Sequence, residues 1–346
     1  MVRVGIIGAT GAVGEGLIRV LLRHPQAELA FLGSDHAAGR PIAEVLPALG
    51  GLLDQVCQKP ELNAIAREAD VVLMAKKGPE SLEWAPKLLD AGLKVIDCGG
   101  EFRFRDPATY ERFYGNPHTC PELLAEAVFG LPEIHREELR SARLVGNAGC
   151  YPACALLPLV PLVADRLVSP RGIVVDAYSG LSGAGRTYSP KSRNLFIECN
   201  ENCRAYSPLT HRHAPEIEQE LTLAAGAEAT VAFVPHLLPT DRGILTTIFA
   251  DVAEGTTTEQ VVECWRRHYA HEPFIRIRES LDQVELANVQ RTNFCDFAAI
   301  ADPRTGKLVI ASALDNVVKG ACGNAVQVMN ILLALPETTG LLALAF

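Results

Sequence analysis

Residues 4–14 have the sequence Val4-Gly5-Ile6-Ile7-Gly8-Ala9-Thr10-Gly11-Ala12-Val13-Gly14, which is the most informative segment for the fold class. An apolar run typical of a buried strand leads into a turn with three glycines, and a helical pattern follows. Glycines at such a turn let the backbone approach a pyrophosphate, which then faces the positive end of the helix. The stretch therefore predicts a dinucleotide site formed by Gly8, Thr10, Gly11, Ala12 and Val13. The alternative is a tight strand-to-helix turn that binds nothing.

The residues after the second predicted strand bear on which nucleotide binds. Asp35 lies 21 residues beyond Gly14, roughly where an acidic residue holds the ribose of NAD. Ser34 and Arg40 are instead suited to a 2′-phosphate, which NADP carries. The residues alone leave both cofactors open.

Short apolar runs alternate with amphipathic segments through the first 150 residues. Predicted strands cover residues 2–7, 29–32, 71–74, 95–97 and 143–146, with helical periodicity between them, for example over 79–89. Such alternation is typical of an α/β fold, with a parallel, doubly wound sheet of the Rossmann type.

The middle of the chain has a different pattern. Strand-like runs recur at 172–177, 229–234, 244–252, 294–301 and 308–313, with clear helical segments near 215–224 and 257–270. This pattern favours an α+β domain with a mostly antiparallel sheet. We expect a last helix, over about 319–333, to pack on the first domain. The predicted domains are therefore 1–148 with 315–346, and 149–314.

Composition narrows the class of protein. The chain has 346 residues, of which 48% are hydrophobic and 21% charged, enough for about two domains. A net charge of −9 without a basic cluster argues against nucleic-acid or membrane partners. Ten cysteines without a Cys-x-x-Cys pair predict a reducing, cytoplasmic compartment. The N-terminus lacks signal-peptide features, and no apolar run is long enough for a membrane helix.

The segment Gly146-Asn147-Ala148-Gly149-Cys150-Tyr151-Pro152 ends a predicted strand, and a helix-like run over 153–164 follows. Cys150 is therefore expected at a helix N-terminus, where the helix dipole and free N–H groups favour a thiolate. The same N–H groups can stabilise an oxyanion when that thiolate attacks a carbonyl. The alternative is a buried cysteine without a chemical role.

A base for this thiol is predicted in His211-Arg212-His213-Ala214-Pro215-Glu216. His213 lies just ahead of an amphipathic helix whose dipole disfavours the protonated ring, so neutral imidazole is available near pH 7. The alternatives are a surface histidine at a helix start and a zinc site built from His211, His213 and His236, although no spacing supplies a fourth ligand.

Two arginines are candidates for binding an anionic substrate. Arg103 follows the strand that ends at Asp97, and Arg186 ends a Gly/Ser loop that begins at Ser179. Either guanidinium can hold a phosphate or a carboxylate, and either can be an ordinary ion-pair partner.

Taken together, these motifs resemble N-acetyl-gamma-glutamyl-phosphate reductases, relatives of aspartate-semialdehyde dehydrogenases. The similarity covers nearly the whole chain. It is carried by residues 8–14, 95–97, 101–103, 129–133, 149–152, 182–186, 211–216, 235–237, 242–243, 292–294 and 315–320.

The resemblance implies Cys150 as nucleophile, His213 as acid/base, NADP as cofactor and a homodimer or homotetramer. It makes the first predicted domain the cofactor domain and the second the catalytic and dimerisation domain. It also implies cofactor contacts from Ser182, Gly183 and Asn316. We assign substrate binding to Arg103, Asn147, Arg186, His211 and Arg212, and no residue to a metal.

Three positions depart from the family pattern. Ala148 replaces a proline before Gly-Cys, residues 76–79 are Lys-Lys-Gly-Pro instead of Leu-Pro-His-Gly, and Asp35 is unusual at an NADP site. The last two positions concern the cofactor and not the thiol.

The mechanism that follows is a hypothesis. The Cys150 thiolate attacks N-acetylglutamyl 5-phosphate, phosphate leaves, and hydride from NADPH reduces the resulting thioester. His213 donates or accepts the proton as the thiohemiacetal collapses to the semialdehyde. Alternatives are another acyl-phosphate reductase, such as an aspartate-semialdehyde dehydrogenase, a nucleotide-binding sensor without turnover, and a zinc hydrolase.

Overall fold

The structure, a computed structural model, describes residues 1–184 and 195–342. The chain divides into two compact units. The first unit is Met1–Ala148 together with the C-terminal segment that begins at Ala321, and the second unit is Gly149–Gly320.

The first unit contains a six-stranded parallel sheet in the order β2-β1-β3-β4-β6-β5. Its strands are β1 Val2–Ile7, β2 Ala27–Gly33, β3 Val71–Met74, β4 Lys94–Asp97, β5 Val128–Gly130 and β6 Leu144–Asn147. After β2 the chain crosses to the other side of β1, so the strand order reverses there. Ligands of doubly wound folds bind at such a reversal, beyond the carboxyl ends of the strands.

The second unit contains a seven-stranded sheet in the order β11-β12-β13-β10-β7-β9-β8. Its strands are β7 Ile173–Ser179, β8 Arg204–Ala205, β9 Val231–Leu237, β10 Ile244–Asp251, β11 Ile275–Ile277, β12 Cys295–Asp302 and β13 Lys307–Leu314. Four of the six pairings are antiparallel, which confirms the predicted α/β plus α+β architecture.

The helices are α1 Ala12–Leu21, α2 Ile42–Val45, α3 Leu62–Glu68, α4 Pro79–Asp90, α5 Pro107–Tyr114, α6 Glu122–Glu126, α7 Pro132–Ser141, α8 Cys150–Ala164, α9 Leu195–Cys199, α10 Ala214–Ala225, α11 Thr258–His268, α12 Leu286–Val289 and α13 Gly323–Leu332. Shorter 3-10 segments are Pro47–Leu49, Leu181–Ala184 and Leu281–Gln283, and Val318–Cys322 is a π-helical turn. Within the first unit, α13 packs against α1 and α7.

Helix α8 forms the centre of the second unit's core. Twelve of its fifteen residues are buried, because it is apolar on every side. Pro161 has no N–H to donate to the carbonyl of Leu157, so that carbonyl lacks its normal helical partner. The Tyr269 hydroxyl donates to it instead, and Trp265 Nε1, also from the α11 side, donates to the Pro158 carbonyl at 2.8 Å. Helix α8 is therefore completed by side chains from outside the helix.

The predicted strands are present, and their ends lie within three residues of the predicted ends. The pattern did not predict the short strands β5, β8 and β11, or the short helices α9 and α12. The final helix begins at Gly323 instead of residue 319, because the π-helical turn precedes it. Among residues 1–184 and 195–342, no helix combines the length and the apolar character needed to cross a bilayer.

Candidate active site

Cys150 is the first residue of α8, directly after Gly149, whose backbone is extended (φ −70°, ψ 154°). Within the described part of the chain, no side chain caps this helix N-terminus. The positive end of a fifteen-residue helix therefore lies at the thiol and favours the thiolate.

The ten cysteines differ in accessibility. All ten lie in the described residues and all are free: seven are buried, Cys98 and Cys150 are half-buried, and Cys203 is exposed. Burial raises the pKa of Cys154 to about 11 and of Cys264 to about 12, and it raises the pKa of Cys98 well above the usual value. Cys150 therefore combines partial access with a helix N-terminus, which suits a nucleophile.

His213 immediately precedes α10, with Pro215 in the first turn of that helix. His213 is buried, with only 6% of the residue exposed. The buried Glu216, also in the first turn of α10, accepts a hydrogen bond from the Gly149 N–H at 2.6 Å. The N-termini of α8 and α10 are thereby joined, which brings the residue before Cys150 and the helix of His213 into one cluster.

Aromatic rings surround this cluster. The Tyr151 ring meets the rings of His211 and His213 edge-on, at centroid distances of 5.6 and 5.9 Å. The Tyr151 and Tyr206 hydroxyls are 3.0 Å apart. Burial and the neighbouring Arg212 charge lower the pKa of His211 to about 4, so its ring is neutral near pH 7. Because His211 Nδ1 accepts the His213 N–H at 3.1 Å, its proton is on Nε2.

A second part of the same unit approaches Cys150 closely. A Cβ on Gly320 would lie 2.6 Å from Cys150 Cβ and 3.1 Å from Cys150 Cα. The Gly320 N–H donates to the Asp315 carbonyl at 2.8 Å, which fixes the turn that holds the glycine in place. A side chain at residue 320 would therefore displace the nucleophile.

The structure brings together three residues assigned to the cofactor. Asn316 Nδ2 donates to Ser182 Oγ at 3.1 Å, and a Cβ on Gly183 would lie 3.4 Å from the same nitrogen. Asn316 Oδ1 accepts the Gly243 N–H at 2.7 Å. Ser182, Gly183 and Asn316 thus form one cluster in the second unit.

The predicted nucleotide turn lies between β1 and α1 in the first unit. Gly8 has φ +91°, and a Cβ there would lie 2.6 Å from the Ala75 carbonyl oxygen. A Cβ on Gly14 would lie 2.3 Å from the Gly8 carbonyl oxygen. Helix α1 begins at Ala12, and in the described residues its N-cap, Gly11, has no side-chain cap. A glycine cradle opposite an uncapped N-terminus of a ten-residue helix fits a pyrophosphate.

The other nucleotide residues lie at the same edge of the sheet. Ser34 is buried, and its Oγ is 2.9 Å from Thr10 Oγ1. Arg40 is exposed and forms an ion pair with Glu44 at 3.5 Å. Asp35 forms an ion pair with Lys76, with 2.6 Å between Oδ2 and Nζ.

Arg103 and Asn147 are buried in the first unit and have protein partners. Arg103 Nε donates to the Asn147 carbonyl at 2.7 Å. The Asn147 side chain donates to the Ala321 carbonyl at 3.2 Å and accepts from Asn324 at 2.7 Å. Burial and the nearby Asp97 raise the pKa of Glu101 to about 7, while Arg103 opposes that rise. Arg186 lies outside the described residues.

The three histidines of the zinc alternative do not come together in the described residues as a ligand group. His236 Nδ1 instead lies 3.1 Å from Asp176 Oδ1. Asp165, Cys264 and His268 do place three potential ligand atoms within 4.8 Å of one another, but Arg267 also forms an ion pair with Asp165.

Comparison with known proteins identifies the family. The semialdehyde dehydrogenase NAD binding domain matches residues 3–142, and the semialdehyde dehydrogenase dimerisation domain matches residues 150–316. N-acetyl-gamma-glutamyl-phosphate reductase from Desulforudis audaxviator is 46% identical over 99% of this chain and 98% of its own. The reductase of that name from Geobacter metallireducens is 44% identical over the same shares. The chain belongs to the N-acetyl-gamma-glutamyl-phosphate reductase family.

Members of this family are oxidoreductases, and so is this chain. Solved structures with the same fold include aspartate semialdehyde dehydrogenase II from Vibrio cholerae, with a TM-score of 0.74 and 19% identity over 96% of this chain and 98% of that one. Another is the Candida albicans enzyme with NADP, with a TM-score of 0.71 and 18% identity over 96% and 99%. At these identities the likeness concerns the fold.

Three residues that lie beside the predicted site residues were not assigned a role from the sequence. Glu216 is an acidic residue in a first helical turn, a position that the helix dipole alone explains. Gly320 appeared only within the matching segment 315–320, and Lys76 only within segment 76–79, which departs from the family pattern. The structure shows their contacts with Gly149, Cys150 and Asp35 respectively.

Proposed function

We propose that this chain reduces N-acetyl-L-glutamyl 5-phosphate to N-acetyl-L-glutamate 5-semialdehyde in arginine biosynthesis, through a thioester on Cys150. The observation that carries the chemistry is the junction of two helix N-termini, one bearing Cys150 and the other His213, through the bond from Gly149 to Glu216. A thiol and an imidazole at such a junction have the groups needed for covalent acyl transfer.

The cofactor in this proposal is a nicotinamide dinucleotide, NADP by the family resemblance. Gly8, Thr10, Gly11, Ala12 and Val13 would hold its pyrophosphate, Ser34 and Arg40 its ribose phosphate, and Ser182, Gly183 and Asn316 its nicotinamide. When bound, the cofactor supplies the hydride that reduces a thioester. In this proposal the first unit holds the adenosine and pyrophosphate end of the cofactor, and the second unit serves catalysis and assembly.

In the first step, neutral His213 accepts the thiol proton and the Cys150 sulfur attacks the acyl carbon. A C–S bond forms, the C–O bond to phosphate breaks, and the imidazolium donates its proton to the departing phosphate oxygen. The helix α8 N–H groups stabilise the oxyanion that forms on the acyl oxygen.

After reduction of the thioester, the acyl carbon carries an alkoxide in a thiohemiacetal. The alkoxide collapses to the aldehyde, the C–S bond breaks, and the electron pair returns to the Cys150 sulfur. His213, which is neutral after the first step, takes a proton from solvent and donates it to the Cys150 sulfur as the C–S bond breaks. This proton restores the thiol, so that each turnover consumes one proton and releases one phosphate.

The substrate carries several negative charges, and the chain is acidic overall. We assign its phosphate and carboxylate contacts to Arg103, Arg186 and Arg212, with Asn147 and His211 as hydrogen-bonding groups. The neutral state of His211 near pH 7 allows one ring N–H to donate without adding charge.

We also propose that the chain forms a homodimer or homotetramer through the open face of the seven-stranded sheet. Val174, Phe249 and Ile300 are exposed by 37%, 40% and 48% on strands β7, β10 and β12. The strand register places Val174 opposite Phe249, and both Phe249 and Ile300 opposite Val309 of β13. This row of apolar side chains crosses four strands, as expected of a surface that a second copy covers.

The oligomer is tested by light scattering during size-exclusion chromatography. Phe249→Asp combined with Ile300→Lys should lower the mass of the particle, whereas Arg304→Glu, in the exposed turn between β12 and β13, should not. An unchanged mass in the double variant would refute this interface.

We propose cytoplasmic localisation, which the ten free thiols support.

The reaction is tested in the reverse direction, as phosphate-dependent reduction of NADP by N-acetylglutamate semialdehyde. Wild type should turn over, Cys150→Ser should lose all activity, and the exposed Cys203→Ser should retain it. Activity in Cys150→Ser would refute the thioester mechanism. A higher kcat/KM with aspartate semialdehyde than with N-acetylglutamate semialdehyde would refute the proposed substrate assignment.

A further inference from the structure

Asp35 and Lys76 lie at the edge of the sheet where the predicted cofactor turn is found. Strands β2 and β3 flank β1 and run parallel to it, so their carboxyl ends lie beside the end of β1. Asp35 is two residues beyond β2, and Lys76 is two residues beyond β3. The Gly8 N–H donates to the Gly33 carbonyl at 2.9 Å, and the Ala75 N–H donates to the Ile7 carbonyl at 2.8 Å. Both residues therefore adjoin the Gly8 turn.

The two side chains form a strong ion pair in a partly closed setting. Lys76 Nζ is 2.6 Å from Asp35 Oδ2 and 2.6 Å from Glu80 Oε2. The Lys76 side chain is 17% exposed and the Asp35 side chain is 46% exposed. The hydrogen bond from Lys76 lowers the pKa of Asp35, which favours the ionised carboxylate.

The local charge is unfavourable to a second anion. Lys76 is shared between two carboxylates, so the group of three carries a net charge of −1. Arg40, the cation assigned to a 2′-phosphate, is exposed and itself paired with Glu44. A 2′-phosphate placed here would meet an ionised carboxylate whose charge is only partly offset.

The same carboxylate is well suited to a ribose hydroxyl. In dinucleotide-binding folds an acidic residue after the second strand accepts a hydrogen bond from the adenosine 2′-hydroxyl, whereas an arginine accommodates a 2′-phosphate. Ser34 Oγ lies 2.9 Å from Thr10 Oγ1, which ties the Asp35 segment to the glycine turn. Asp35 is thus held where it can discriminate between the two cofactors.

We propose that Asp35, oriented by Lys76, sets the cofactor preference of this chain and lets it bind NADH about as tightly as NADPH. The inference rests on the proposed function, because it assumes that the Gly8 turn holds a nicotinamide dinucleotide. Lys76 has two effects: it fixes the carboxylate and it offsets part of the carboxylate charge. Removing either partner should therefore change the balance, in opposite directions.

The test is the dissociation constant of each reduced cofactor, measured from nicotinamide fluorescence without any substrate. Wild type should bind NADH and NADPH with dissociation constants within about tenfold of one another, since the 2′-phosphate gains little at this site. Asp35→Ser should shift the ratio of the two constants at least about tenfold toward NADPH, because a repelling charge and a 2′-hydroxyl acceptor are both lost. Lys76→Gln should shift the ratio toward NADH.

Two controls separate specificity from structural damage. Glu80→Gln leaves Asp35 with an unshared Lys76 and should shift the ratio modestly toward NADPH. Asp70→Asn breaks a similar ion pair, Arg3 to Asp70 at 2.6 Å, which adjoins the amino end of β3, and should leave the ratio unchanged. A merely structural role for Asp35 would weaken both cofactors equally.

The outcomes distinguish this inference from the proposed function. If wild type binds both cofactors but Asp35→Ser leaves their ratio within twofold, Asp35 does not set the preference and the inference is wrong. A wild type that binds NADPH far more tightly than NADH would overturn it as well. If wild type binds neither cofactor, the proposed function itself fails.

Discussion

The close approach of Gly320 to the predicted nucleophile offers a sharp perturbation, Gly320→Ala. The added Cβ would lie 2.6 Å from Cys150 Cβ, whereas two carbon atoms in contact are normally about 3.5–4.0 Å apart. The thiol-bearing residue must therefore move by about 1 Å, since the Asp315 turn holds residue 320 on its other side. A misplacement of that size costs about 100-fold in rate.

The assay compares kcat/KM with stability for two alanine variants. Gly320→Ala should lose about 100-fold in kcat/KM and about 1–3 kcal/mol in the free energy of unfolding, as other overpacked sites do. Gly306→Ala is the matched control: its φ of +66° makes a side chain costly, but nothing lies within 4 Å of the new Cβ. It should lose stability and keep its kcat/KM. A Gly320→Ala enzyme with kcat/KM within twofold of wild type would refute the reasoning.

Three further predictions concern other parts of the chain. The folded chain holds a proton on Glu101 up to about pH 7, whereas the unfolded chain releases it near the ordinary pKa of a glutamate, so the wild type should lose stability as the pH rises from about 5 to 7.5. In urea unfolding at several pH values, Glu101→Gln should lack that part of the pH dependence. Parallel stability curves for the two proteins would contradict this. Brief treatment with iodoacetamide should label Cys150 and Cys203 before any buried cysteine, as measured by peptide mass spectrometry, and early labelling of Cys154 would contradict the burial. Tyr269→Phe should lower the free energy of unfolding in urea by about 1–3 kcal/mol, because the Leu157 carbonyl loses its donor. The control is Tyr178→Phe: the Tyr178 hydroxyl donates to Asp176 near the surface, so its loss should cost less than about 0.5 kcal/mol. Equal losses in the two variants would contradict the account.

Much of the fold could be predicted because its strands are continuous apolar runs. Strand β3 is buried along its whole length and β1 over its last four residues, between layers of helices, and this leaves a clear signal in the sequence. Strand β5 has three residues and β8 has two, too few to show any period. Their pairing depends on neighbours that are distant in sequence.

Helix α8 shows a different limit. Its apolar run predicts a helix, but Pro158 and Pro161 argue against a continuous one. Tyr269, more than a hundred residues later, donates to the Leu157 carbonyl that Pro161 leaves without a partner, and Trp265 donates to the Pro158 carbonyl beside it. Nothing in the local sequence contains that information.

For the candidate site, sequence reasoning located the residues at helix starts and not the contacts that connect them. Cys150 and His213 were recognisable because glycine and proline mark the starts of their helices. The bond from Gly149 to Glu216 and the approach of Gly320 join segments far apart in the chain. Such contacts follow from tertiary packing, which periodicity does not report.

The dependence of α8 on side chains from outside the helix has a consequence for how this protein unfolds and loses activity. The helix that presents the nucleophile cannot fray separately from the segment of Trp265 and Tyr269, since Tyr269 supplies the donor that the Leu157 carbonyl lacks and Trp265 adds a second hydrogen bond to the Pro158 carbonyl. Both segments should therefore exchange their amide protons as one cooperative block. When this block opens, the Cys150 thiol loses its position at the helix N-terminus at the same time. Heat or denaturant should therefore leave a mixture of fully active and fully inactive molecules, with few molecules of intermediate activity.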